Sequence, residues 1–276
     1  MPAYLPPKRS APGRDWDRDS FFGTMKEVHA WYRAPRKRGI LILGAGGVGK
    51  TTLANLLSGE FDLLQGGLER YDETTDVERF RLKDADEVEI VVPPRQKHRR
   101  EATWTDLQAD LAAGKYRGVI LVSAYGYHAL AERSYTDYRR FHGKKDAFLK
   151  AFLKNNRQDE LAVLQQLLPH LLANLQKVWF VSSIVKQDLW WPARTTVEKH
   201  YRTGDYGAAI RRVHRRKAAG IRHEFVFASL LIANFVSQND ELLQPCAKGY
   251  DYPRQAHSLR SLFETVNALR LWESEK

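Results

Sequence analysis

Eight consecutive residues, Gly44-Ala45-Gly46-Gly47-Val48-Gly49-Lys50-Thr51, match the pattern G-x-x-x-x-G-K-[ST]. Glycines let a backbone curl until successive amides converge on one anion, and a helix opening at Lys50 adds its positive end. Lys50 brings a mobile cation to the outer phosphates of a nucleoside triphosphate. The Thr51 hydroxyl is a hard oxygen donor suited to Mg2+, and Thr52 follows it into the same phosphate-binding turn. A dinucleotide loop, which Gly44 and Gly46 also permit, gives Lys50 and Thr51 no role and wants an acid where Leu82 and Lys83 stand.

The loop needs a strand before it and a helix after it, and the pattern supplies both. Apolar runs at Gly39 to Leu43, Val77 to Leu82, Glu87 to Val92, Gly118 to Val122, Lys177 to Val181 and Glu224 to Ala228 read as strands. Helical patterns fall at Lys50 to Leu57, Gln158 to Leu175, Gly207 to Lys217 and His257 to Leu271. This alternation predicts an α/β sheet with crossover helices, and the loop's resemblance to those of the P-loop NTPases implies a three-layer sandwich whose mostly parallel six-stranded sheet carries helices on both faces. Residues 1–38 read as a basic extension containing a helix capped by Asp19 or Ser20, with Phe21, Phe22, Met25, Val28 and Tyr32 on one face. Residues 39–276 read as the domain, enlarged near 125–176, where Leu161, Leu164, Leu167, Leu168, Leu171, Leu172 and Leu175 predict a core-facing helix.

A chain of 276 residues that is 43% hydrophobic excludes general disorder, and one cysteine, Cys246, excludes an intramolecular disulfide. The first residues lack the apolar core of a signal peptide, and charges interrupt every apolar run short of membrane-spanning length. These features predict a cytoplasmic protein. The net charge of +11 admits an anionic membrane surface or an acidic protein as partner. Nucleic acid is disfavoured, because no nucleic-acid motif accompanies the basic runs. Trp190-Trp191 is assigned to packing, and the histidines show no zinc-binding spacing.

The order of motifs from Gly39 to Leu230 resembles the Ras-like and Arf-like small GTPases. Tyr71-Asp72-Glu73-Thr74-Thr75 stands where that family keeps its switch threonine; Thr74 is the better match and Thr75 its neighbour. Val185-Lys186-Gln187-Asp188 is similar to the base-selecting [NT]-K-x-D motif with its first position changed. Ser229-Leu230 is similar to the loop whose backbone touches guanine O6. The third motif, D-x-x-G followed by Gln, departs: the stretch is Val92-Pro93-Pro94-Arg95-Gln96, so the aspartate and the glycine are gone.

The resemblance implies GTP and GDP as ligands with Mg2+, and Thr51 and Thr74 as metal ligands. It implies Lys50, Gln96 and Arg95 in catalysis, Arg95 sharing with Arg99 and Arg100 the role of an arginine finger, and an effector or activator protein as partner. Arg95 to Arg100 read equally well as a basic surface loop. The function implied is a guanine-nucleotide switch with slow or partner-assisted hydrolysis. The alternative is a non-hydrolysing scaffold with structural nucleotide, and an ATPase follows only if Asp188 is away from the base.

Overall fold

The computed structural model describes Phe21, Gly23 and residues 39–61, 77–82, 85–94, 97–217 and 220–274. β1 (Gly39–Gly44) runs through the phosphate loop into α1 (Lys50–Leu57). Then come β2 (Glu78–Leu82), β3 (Ala85–Val92), α2 (Lys97–Ala112), β4 (Tyr116–Ser123), α3 (Lys145–Ala173) and β5 (Val178–Ile184). The chain continues through α4 (Gln187–Trp190), α5 (Arg194–Thr203), α6 (Asp205–Arg216), β6 (Ile221–Phe227), a small hairpin of β7 (Phe235–Val236) and β8 (Leu242–Gln244), and α7 (Tyr252–Ser274).

The strand order is β2-β3-β1-β4-β5-β6, and every pairing is parallel except that of β2 with β3. This is an α/β fold built on the mostly parallel six-stranded sheet that the sequence predicts. Each strand was placed within a few residues. β1 and β5 are near-continuous apolar runs because helices shield central parallel strands on both faces. β6 lies at the sheet edge and exposes Arg222 and Glu224, charges that discourage pairing with another chain. Parallel order sends the ends of β1, β4, β5 and β6 to one side, where ligand crevices of such sheets form.

α3 begins well before the predicted Gln158, because its first half joins an aromatic cluster. Phe148 packs against Tyr135, Tyr138, Phe141 and Phe152 with ring centroids 5.3–6.3 Å apart. Of the leucine stripe, Leu164, Leu167, Leu168 and Leu171 are buried. Leu161 and Leu172 pack at its margin, whereas Leu175 lies beyond the helix and is 95% exposed. Lys97, His98, Arg99 and Arg100 open α2, so this part of the basic stretch is helix rather than loop. α2 and α5 were not foreseen. Of the predicted N-terminal helix only Phe21 and Gly23 are described. Both are helical, and Phe21 is buried against the domain with its ring 5.7 Å from that of Tyr252. No helix among the described residues is long and apolar enough to cross a membrane.

Gly118 in β4 faces Trp179 in β5, and the buried indole fills the space a side chain would need. A Cβ at residue 118 would lie 2.0 Å from the ring. Gly118→Ala is therefore expected to lower unfolding free energy by about 1–3 kcal/mol through overpacking, measured by urea denaturation. A wild-type midpoint would contradict the packing described.

Candidate nucleotide site

The phosphate loop turns where only glycine fits. Gly44 and Gly47 have φ of 150° and 70°, and a Cβ on them would lie 2.4 Å from the Val122 carbonyl oxygen and 2.6 Å from the Ala129 nitrogen. The turn delivers Lys50, 3% exposed, back across the loop. Its Nζ donates to the carbonyl oxygens of Gly44 (3.2 Å) and Ala45 (2.9 Å). Carbonyls are weaker partners for an ammonium than phosphate oxygens, so this is a cation that a phosphate can capture. α1 opens at Lys50 with no acidic residue in its first turn to neutralise the helix dipole. Thr51 Oγ1 donates to Glu78 Oε2 at 2.6 Å, and Thr52 sits beside it in the same turn.

Across the crevice, the turn after β5 carries Lys186 and Asp188. Lys186 adopts a left-handed conformation (φ 60°), and its Nζ donates to the carbonyl oxygens of Tyr127 and Gly47, the latter at 3.3 Å. The turn after β5 is thus bolted to the phosphate loop. Burial pushes the Lys186 ammonium down to about 8, against the pull of the Asp188 and Glu160 charges. Val185 is fastened through its backbone: its N–H donates to Ser123 O (2.7 Å), and its carbonyl accepts from Trp190 Nε1 (2.8 Å). Trp190 is buried and Trp191 stacks edge-on to Tyr250 at 5.5 Å, so both tryptophans serve packing.

Asp188 is covered. Its Oδ1 accepts from Ser229 Oγ, its Oδ2 accepts from the Ala233 N–H at 3.0 Å, and the residue is 2% exposed. Burial pushes its carboxyl up, with the Ser229 and Ala233 bonds opposing. The Ser229 N–H donates to Ser258 Oγ (3.3 Å), and the Leu230 carbonyl accepts from Gln255 Nε2 (3.0 Å), tying this loop to α7. The Leu230 side chain reaches toward Gly49. The β7–β8 hairpin closes the same end: Tyr127 OH donates to Gln244 Oε1 (2.9 Å), and Gln244 Nε2 donates to Leu189 O (2.8 Å). The Lys186 bond to Gly47 O and the Leu230 side chain beside Gly49 set the turn after β5 and the Ser229-Leu230 loop against the phosphate loop that carries Lys50 and Thr51, and the Ser229 bond joins Asp188 to the same group. Thr74, Thr75, Arg95 and Gln96 lie outside the described residues. Val92, Pro93 and Pro94, at the end of β3, are buried.

One organising residue escaped the sequence reading. Glu160 of α3 is 2% exposed. Its Oε1 accepts from the N–H groups of Ala124 (2.9 Å) and Gly126 (3.0 Å) and lies 2.9 Å from His128 Nε2. Its Oε2 accepts from Tyr201 OH. One carboxylate therefore strings together residues 124–128, the segment that offers Tyr127 O to Lys186 and leads to the Ala129 N–H donating to Gly47 O (3.0 Å). The signal was present: Glu160 sits four residues before Leu164, on the buried face of the stripe.

No family model matches the chain, and no curated protein matches it by sequence. Several solved structures show a distant likeness. The ADP-ribosylation factor-like GTP-binding protein, small COPII coat GTPase SAR1, from Encephalitozoon cuniculi in complex with GDP is 10% identical, with TM-score 0.45, 92% of this chain and 88% of that one covered. Toc33 from Arabidopsis thaliana in complex with Mg2+ and GMPPNP is 14% identical, with TM-score 0.40 and coverage of 92% and 90%. The mammalian SRP receptor is 14% identical, with TM-score 0.41 and coverage of 84% and 100%. Likeness this remote transfers no residue's role.

Burial pushes the Glu160 carboxyl up, but the His128 bond and charge, the Tyr201 hydroxyl and the Ala124 amide outweigh it, leaving the group below its ordinary 4.5. Its stabilisation is then fully present above pH 4.5 and lost as pH falls through the lower folded value. Glu160→Gln is expected to cost about 2–4 kcal/mol at neutral pH and to flatten the acid side of the stability curve, measured by urea denaturation across pH. An unchanged acid limb would show that the carboxylate does not carry this segment.

Proposed function

We propose that the chain binds guanine nucleotide, with its phosphates in the loop from Gly44 to Thr51 and its base against Lys186 and Asp188, and acts as a slow or partner-assisted GTP switch. The observation that carries this reading is the Lys186 Nζ bond to Gly47 O, which fixes a base-reading turn at a set distance from a phosphate loop. Lys50 exchanges the Gly44 and Ala45 carbonyls for phosphate oxygens. Asp188 retains lone pairs beyond those used by Ser229 and Ala233, and these suit guanine N1–H and the exocyclic amine, a donor pair adenine lacks. The Thr51 hydroxyl would hold Mg2+, which would supply charge neutralisation at the outer phosphates. Among the described residues no group of three or more His, Cys, Asp or Glu could hold a metal.

Hydrolysis is the weaker half of the machine. Val92 offers no oxygen to the metal's water, and Pro93-Pro94 stiffens the approach that a glycine would leave free. Gln96 orients the attacking water and Arg95 supplies charge in this proposal, an activator or effector protein completing the site. The covered state of Asp188 favours a second reading, a scaffold that keeps one nucleotide and does not turn over. Multiple-turnover phosphate release, with and without candidate partners, separates the two.

Calorimetry with GDP and ADP tests the base assignment. GDP is expected to bind at least a hundredfold more tightly, because a mismatched base leaves buried polar groups unpaired; equal affinities would defeat the reading. Asp188→Asn is expected to shift preference toward xanthine nucleotide. Lys50→Ala should remove measurable GTP binding, and parental affinity in that variant would place the phosphates elsewhere.

A further inference from the structure

β2 and β3 are antiparallel, and their register sets Glu78 directly opposite Val92. Side chains at directly opposed positions of antiparallel strands stand on the same face, with Cβ atoms about 4.5–5.5 Å apart. Val92 is where the resembled GTPases keep the aspartate that holds a metal-bound water. Here that position is a buried valine, and the residue beside it on the next strand is a glutamate. The Glu78 carboxylate is directed to the foot of the phosphate loop, where Oε2 accepts from Thr51 Oγ1 at 2.6 Å. α1, whose first turn carries Thr51, packs on β1, β2 and β3, so this face looks at the phosphate loop.

We infer that Glu78 supplies, from β2, the metal-facing carboxylate that Val92 on β3 lacks. The inference rests on the nucleotide reading above and adds a ligand environment to it. By accepting the hydrogen bond that the Thr51 hydroxyl donates, Glu78 would leave the hydroxyl lone pairs turned toward the ion. Its charge, and the oxygen Thr51 does not use, face the water shell that Mg2+ keeps when bound through few protein groups. Glutamate is one methylene longer than aspartate, which suits a donor reaching in from the neighbouring strand. A second acid at residue 92 would crowd like charge at one spot, which accounts for an apolar residue there.

The test follows Mg2+ dependence rather than turnover. Dissociation of fluorescent GDP from the full chain is measured across Mg2+ concentrations and in excess chelator. For Glu78→Gln the Mg2+ concentration giving half-maximal retention is expected to rise about tenfold or more, with dissociation in chelator unchanged within about twofold. Val92→Asp added to Glu78→Gln is expected to restore most of the Mg2+ response, which a merely structural glutamate would not allow. Glu78→Asp, with charge at shorter reach, is expected to fall between, and serves alone if the glutamine variant melts early. A wild-type half-point in Glu78→Gln or Glu78→Asp overturns the inference. So does GDP binding by the wild type that Mg2+ fails to strengthen, which leaves the nucleotide reading standing. Absence of GDP binding under all conditions overturns both.

Discussion

The carboxylate of Glu160 is the contact on which the rest of the site depends. It is anchored on the longest helix and gathers the backbone of Ala124 and Gly126, the His128 ring and the Tyr201 hydroxyl into one buried point. Residues 124–128 have no ladder of their own, and buried amides without partners would each cost about 1–3 kcal/mol. Held by Glu160, this segment becomes a rigid shelf. It accepts Lys186 through Tyr127, and beyond it Ala129 holds Gly47. The curl of the phosphate loop is therefore set partly from a helix more than a hundred residues downstream.

Lys186 shares this buried region with two carboxylates, Asp188 and Glu160. Burial disfavours its charged form and pulls it to about 8, while both carboxylates work the other way. An ammonium so poised still donates to Gly47 and Tyr127 at neutral pH, but its full charge is supported by anions that have other tasks. Glu160 is committed to the shelf, and Asp188 to Ser229 and Ala233. The covered Asp188 costs less this way than an open, unpaired carboxylate in apolar surroundings would. The tie from Leu230 to Gln255 and the clasp of Gln244 on Leu189 hold that closure to α7 and to the turn after β5.

What the sequence disclosed and what it hid divide along contact range. The strands and the phosphate loop were legible because apolar runs and a glycine-lysine-hydroxyl pattern are local. The place of Lys186 and Asp188 in the turn after β5 was legible because a strand end announces it. Glu160 was harder to read, since its partners lie 32 to 41 residues away and its place on the buried face of the leucine stripe is the one local mark it carries. The cover over Asp188 was equally hidden: the Ala233 donor is a backbone amide, which no residue type announces. Leu175 failed for the opposite reason. It continues the helical spacing, but α3 ends at Ala173, so periodicity outlasted the helix that gave it meaning.

The third motif shows why reading along one strand is insufficient. A motif is a statement about chain order, whereas a metal responds only to where oxygen atoms lie. In a sheet, position along the chain and position in space are linked by register, and an antiparallel pair gives two residues nearly equal access to one point on a face. Glu78 and Val92 are such a pair, fourteen positions apart in the chain and directly opposed in β2 and β3. Losing an acid at one can be balanced by gaining one at the other, provided the longer side chain reaches the same hydroxyl, as it does at Thr51. The backbone is harder to replace. No cross-strand neighbour can return the freedom of a glycine to a stretch holding Pro93 and Pro94, because that freedom belongs to the φ and ψ of the residue itself. A site can thus keep its charge while losing its mobility, which is the combination that favours holding a nucleotide over hydrolysing it.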